Sequence, residues 1–224
     1  MGRTPFFSQK GQDEFVLLEV FDGKRRGLKR GGYFVDLACA DGVEINNTLF
    51  MERRLGWRGL LIEPNPRFHA SIRERRTSPL CTDCIASGHG EVEFRIDNGM
   101  LGGIVGDVYD NSQRVRGGEL PSAEIVRMKT RPLAEVLEEH GAPAEIDYLS
   151  LDVEGAELEA LRSFPFDRYR FSCMTIERPP LELDLLLDEH GYAQVRLQRF
   201  DTFYVHRDVL PESRVRMDER FLET

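Results

Sequence analysis

The stretch Tyr33-Phe-Val-Asp-Leu-Ala-Cys-Ala-Asp-Gly42 passes from apolar residues into a run of small ones. It reads as a short buried strand, a tight turn and the way into a helix. Farther along, Leu60-Leu-Ile-Glu-Pro64 reads as a second buried strand that ends on a single carboxylate. Buried strands separated by a helix belong to an open α/β sheet with parallel neighbours. In such a sheet, ligands bind outside the carboxyl ends of the strands, at the switch point. Small residues there let backbone approach a ligand closely. An acid ending the next strand is placed to hold a ribose diol. A nucleoside-containing cofactor is the first expectation.

The chemistry of the turn separates two such cofactors. A dinucleotide fold uses G-x-G-x-x-G and rests a pyrophosphate on the helix N-terminus. That pattern is absent, and Asp36 stands at the strand end, where a phosphate would be repelled. A carboxylate suits a cationic ligand better, and S-adenosylmethionine carries ammonium and sulfonium charges. The methyl donor is favoured over NAD.

With 224 residues, 41% of them hydrophobic, the chain is long enough for one α/β domain with a substantial core. A net charge of -9 argues against a broad nucleic-acid-binding face, which needs clustered Lys and Arg. The basic runs Lys24-Arg25-Arg26 and Arg73 to Arg76 are local, and the second, interrupted by Glu74, reads as a solvated helix face. No apolar run approaches the roughly 18 residues of a membrane span. The N-terminus lacks a signal pattern, so a cytoplasmic location is expected. Cys39, Cys81, Cys84 and Cys173 are read as four free thiols, because Cys81-Thr-Asp-Cys84 has no matching second pair.

Apolar spacing predicts a helix over 11–21, stopped by Asp22-Gly23. Strands are predicted over 33–39, 59–63, 80–85, 91–96, 124–129, 146–152 and 170–177. Helices fall over 44–55, 66–76, from Thr130 (as N-cap) to 140, from 156, and over 179–190. A hairpin, 193–199 with 202–206, closes the pattern. Strands alternating with helices specify a mostly parallel sheet with helices on both faces. One domain spans 1–224, with 1–30 as a helical segment covering the cofactor site. Residues 97–121, glycine-rich and without a clear period, read as the acceptor loop or an irregular insertion.

With these pieces in place, the chain resembles the FkbM family of S-adenosylmethionine-dependent methyltransferases. The resemblance runs from Ser8 to about His206. It rests on Ser8-Gln9-x-x-Gln12-Asp13, Phe34 to Gly42, Asn46-Asn-Thr48, Gly56-Trp57, Leu61-Ile-Glu-Pro-Asn65 and Ile146-Asp-Tyr-Leu-Ser-Leu-Asp-Val-Glu-Gly-Ala-Glu157, in that order and spacing. It implies a class I methyltransferase (Rossmann-like) fold, a mostly parallel seven-stranded sheet with a C-terminal antiparallel hairpin. It also implies that Asp36 and the turn Ala38, Cys39, Asp41 and Gly42 flank the methionine part of the donor, with Asn47 beside them. Glu63 and Pro64 would sit at the ribose, and Asp83, Cys84 and Ile85 at the adenine. Gln9 and Gln12 would cover the methionine carboxylate. One departure is Ala38, where relatives usually carry glycine; alanine disfavours positive φ.

Methyl transfer to oxygen is an in-line displacement, so catalysis is positioning plus removal of the acceptor proton. Asp152, Glu154 and Glu177 end two strands and are expected beside the sulfonium. Two roles stay open: one carboxylate as general base, or Asp152 and Glu177 sharing a divalent ion such as Mg²⁺. Glu154 and Glu157 also fit a plain role, charging the start of the next helix. The five histidines sit mostly at helix ends and turns, and none is read as the base. Trp57 reads as a core anchor. The resemblance implies a small-molecule acceptor, with sugar and secondary-metabolite hydroxyls as leading classes. Tyr109, Asn111 and Arg114 offer hydrogen bonds to it, and Arg178 offers either an anion contact or neutralisation of the acids. N-methylation, a non-catalytic donor-binding module and a homo-oligomer remain open alternatives.

Overall fold

The computed structural model describes residues 6–107, 109, 114, 117–118 and 124–218. In chain order the strands are β1 (Tyr33–Leu37), β2 (Arg58–Ile62), β3 (Leu80–Cys81), β4 (Cys84–Ile85), β5 (Gly90–Arg95) and β6 (Gly103–Ile104). They continue with β7 (Ile125–Arg131), β8 (Glu145–Leu151), β9 (Arg170–Glu177), β10 (Tyr192–Gln198) and β11 (Asp201–His206). Seven of them form one sheet in the order β10-β11-β9-β8-β1-β2-β3. β1 pairs parallel with both β2 and β8, while β11 runs antiparallel to β9 and β10. The order reverses at β1, so the switch point lies outside its carboxyl end.

Both sheet faces are apolar because successive strand residues point to opposite sides. Val35, Leu60, Leu149 and Met174 face helices Leu133–Glu139, Glu157–Leu161 and Leu181–Glu189. Phe34, Leu61, Tyr148 and Phe203 face the other layer, where Trp57 and residues of helices Leu49–Leu55 and His69–Arg75 pack. The N-terminal segment joins this second layer. Its π-helical turn, Phe15–Val20, buries Phe15, Val16, Leu17 and Val20, with Phe15 edge-on to Phe203 at 4.8 Å. Each large side chain buried this way stabilises the fold by about 2 kcal/mol. Trp57 is a core anchor as expected; its indole N–H donates to the Lys29 carbonyl.

Several expectations need correcting. Residues 80–85 are not one strand: Leu80–Cys81 stays in the main sheet, and Cys84–Ile85 turns away into a second sheet ordered β4-β7-β5-β6. Apolar alternation marked these strands but carried no sign of which sheet they join. The helix predicted from 44 begins only at Leu49, because Asn46 and Thr48 turn inward to Asp36. Thr130 is not an N-cap. Its hydroxyl donates to the Gly88 carbonyl, the strand runs on to Arg131, and Pro132 precedes the helix. Arg76 is not solvated but buried, with consequences described below. All four cysteines are free and buried. Among the described residues, no helix is long and apolar enough to cross a membrane.

Candidate donor-binding cleft and acid cluster

β1 ends in a turn held from several sides. The Ala38 N–H donates to the Ile62 carbonyl at 2.8 Å, and the Gly42 N–H to the Cys39 carbonyl at 2.9 Å. Ala38 and Ala40 both take left-handed backbone, at φ 66° and 49°. A left-handed conformation that favours glycine is therefore taken by an alanine at position 38, at a cost of roughly 1–2 kcal/mol. Asp41 closes the turn from inside, accepting from the Val43 and Glu44 N–H groups.

Glu63 ends β2 and faces this turn. One carboxylate oxygen accepts from the Ala40 N–H at 2.8 Å and the other from the Asn65 N–H at 2.9 Å. Burial pushes its carboxyl up to about 8; the two N–H groups oppose that push and the neighbouring Asp36 charge adds to it. Ala38, Ala40, Glu63 and Pro64 form one side of a cleft, with Cys84 and Ile85. The second sheet, to which Cys84 and Ile85 belong, and the segment inside it add Phe94, Gly99, Met100, Gly102 and Ile104 to the lining. The lining is mostly apolar, with Glu63 as its one carboxylate. Asn65 fastens the far wall, its side-chain N–H donating to the Ile96 carbonyl at 3.3 Å. So the first part of the glycine-rich 97–121 segment borders this cleft, a place that composition alone did not reveal. Asn111 lies outside the described residues.

The ends of β8 and β9 bring the three predicted acids together. Carboxylate oxygens of Asp152, Glu154 and Glu177 all lie within 4.8 Å of one another. Glu154 has left-handed backbone, φ 56°, and pairs with Arg114 at 2.8 Å. Glu177 faces Arg178 at 3.4 Å, and the Arg178 guanidinium lies 4.3 Å from the Phe200 ring centre. Desolvation and the Glu177 carboxylate push the Asp152 carboxyl well above the ordinary range. Asp152 keeps an exposed surface, so the like charge of Glu177 drives much of that rise. Beneath them, Glu157 accepts from the Val153 and Gly155 N–H groups and so fixes the turn that presents Asp152 and Glu154. Burial raises Glu157 to about 7.

Other predicted residues sit farther from the cleft. Asp36 is buried and accepts from Asn46 and Thr48, so it organises the turn from behind. Cys39 is in the core, and Asn47 donates to the Ser150 hydroxyl. Asp83 pairs with Arg131 at 2.8 Å and is not part of the cleft lining. Gln9 is exposed, while Gln12 is buried and donates to Asp201 at the mouth of the β10–β11 hairpin, across from Glu177. His69 approaches the Glu63 carbonyl with its ring nitrogen at 2.7 Å. Sequence reasoning missed Phe94, Met100 and Ile104, because the second sheet that brings them here leaves no local signature.

Residues 36–194 match the Methyltransferase FkbM domain. The chain belongs to the FkbM methyltransferase family. The sheet order is that of class I methyltransferases, as the resemblance implied. Solved structures similar to this FkbM chain include Methyltransferase FkbM from Methylobacillus flagellatus KT, at 14% identity and TM-score 0.45, covering 85% of this chain and 47% of that one. A precorrin-6y C5,15-methyltransferase from Geobacter metallireducens GS-15 is 11% identical, with 91% of each chain covered and TM-score 0.43. The METTL16 MTase domain is 13% identical, covering 83% of this chain and 63% of that one at TM-score 0.40. The FkbM chain thus spans about half the length of the Methylobacillus structure. No curated protein matches it.

Proposed function

We propose that this FkbM methyltransferase transfers a methyl group from S-adenosylmethionine to a hydroxyl of a small molecule, with sugar and secondary-metabolite hydroxyls the leading acceptor classes. The reading is carried by Glu63, a buried carboxylate ending β2 at the rim of an apolar slot. The residues fit the donor. Glu63 would accept hydrogen bonds from the ribose hydroxyls, Pro64, Cys84 and Ile85 would hold the base, and the turn from Ala38 to Gly42 would hold the methionine portion. S-adenosylmethionine supplies the methyl group when bound. Asp152 takes the acceptor proton, its basicity raised by Glu177. Free, buried thiols agree with work in a reducing cytoplasm.

Calorimetric titration with S-adenosylhomocysteine tests this reading: micromolar binding is expected, and no binding would point to a chain without the donor function. Asp152→Asn should leave that binding intact while cutting turnover about 100-fold. Near-normal turnover would remove Asp152 from the chemistry.

The convergence of Asp152, Glu154 and Glu177 favours a second reading, in which Asp152 and Glu177 would hold a divalent ion that would position acceptor oxygens and lower a hydroxyl pKa. The donor set is hard and anionic, as Mg²⁺ requires, although Arg114 already occupies Glu154. Titration with Mg²⁺ alone tests it; heat that vanishes in Glu177→Gln supports the ion, and no heat removes it.

A further inference from the structure

The basic run at the end of helix His69–Arg75 has one member with a different fate. Arg76 has a side chain with no exposure to solvent, and its guanidinium is almost fully committed. Nε donates to Glu52 at 3.1 Å. One terminal nitrogen donates to the Gly42 carbonyl at 2.9 Å and to the Asn46 side-chain oxygen at 3.1 Å. The other donates to the Thr48 hydroxyl at 2.9 Å.

Those partners form a chain of contacts leading to the cleft. Thr48 and the Asn46 amide both donate to Asp36, at 2.7 and 2.9 Å, and Asp36 sits on β1 just before the turn. Asn46 also accepts from the Thr48 and Leu49 N–H groups, which starts the following helix. Gly42, with φ 75°, lies against the Arg76 side chain; a β-carbon there would meet Arg76 Cγ at 3.1 Å. A planar fork with several donors can tie separate backbone pieces in one geometry, which a lysine cannot reproduce. A buried cation left without one partner is costly, so the arrangement is all-or-none in character.

We propose that Arg76 is the positioning residue of the donor turn: by binding Gly42, Asn46, Thr48 and Glu52 together it holds residues 38–46 in the shape that receives the donor. It touches no donor atom itself. The inference rests on the donor-binding reading above, and the experiment separates the two.

Thr48→Val removes the hydroxyl that joins Arg76 to Asp36 and keeps the shape; Thr48→Ser keeps the hydroxyl. Arg76→Lys keeps the charge and loses the fork. S-adenosylhomocysteine affinity is measured by calorimetry alongside Tm and amide hydrogen exchange of residues 38–46 in the ligand-free protein. Thr48→Val and Arg76→Lys should each weaken binding about ten-fold and speed exchange in 38–46, with core strands β1 and β8 still protected, and Thr48→Ser should restore both. A folded Thr48→Val protein with wild-type affinity and wild-type exchange would overturn the proposal. If the wild-type protein itself binds no S-adenosylhomocysteine, the donor reading fails, and exchange in 38–46 still decides whether Arg76 fixes the turn.

Discussion

A carboxyl that must ionise while buried is a sensitive reporter of what binds it, and Glu63 is the best placed here. Its two oxygens already accept backbone N–H groups, and burial holds it near 8. Ribose hydroxyls donating to the remaining lone pairs favour the ionised form. Donor binding at pH 7 should therefore release a proton. Calorimetric heats will vary with buffer ionisation enthalpy, affinity will rise between about pH 6 and 8, and Glu63→Gln will abolish both effects while weakening binding roughly ten-fold. Ala38 gives a second test. Its left-handed backbone costs roughly 1–2 kcal/mol, and glycine returns part of that to unfolded-chain entropy. Ala38→Gly should gain about 0.5 kcal/mol in denaturant unfolding, whereas a loss would mean the alanine methyl packs favourably.

At the scale of elements, the cleft depends on a seam between two sheets. β6 pairs with β5 in the register Phe94–Ile104 and Arg95–Gly103, and the Val105 N–H donates to the Glu93 carbonyl at 2.8 Å. Gly102, just before it, passes so close to β5 that a β-carbon would lie 2.6 Å from the Arg95 carbonyl oxygen. Gly102→Ala should push β6 outward, cost about 1–3 kcal/mol, and weaken S-adenosylhomocysteine binding; unchanged affinity would detach β6 from the donor site. This seam also marks where the sequence stopped being informative. The switch-point strands were legible because they are short, mostly apolar stretches that run into Asp36, Glu63, Asp152 and Glu177. The break between Cys81 and Cys84 was not, since a change of sheet is decided by distant pairing with Thr130 and Arg131. Arg76 was misread for a related reason: its partners Gly42, Asn46, Thr48 and Glu52 are all remote in sequence.

For the whole molecule, raised carboxyls give stability a definite pH slope. Glu63 and Glu157 ionise at about 8 and 7 in the fold against 4.5 for ordinary glutamate. The folded state holds more protons than the unfolded one across that interval, so their contribution is fully present below about 4.5 and is lost as pH rises through 7 and 8. Melting temperature should fall between pH 5 and 8.5, and Glu63→Gln with Glu157→Gln should flatten the curve; a Tm that rises over this range would contradict the assigned burial.

The second sheet begins where the chain leaves β3 after Cys81 and ends as it enters helix Leu133–Glu139, and its strands β4 to β7 pair among themselves. Among the described residues, the seven-strand frame shares no hydrogen-bonding ladder with it. Substitutions inside that excursion therefore reach the frame through side-chain packing and the cleft both line, and not through a shared ladder.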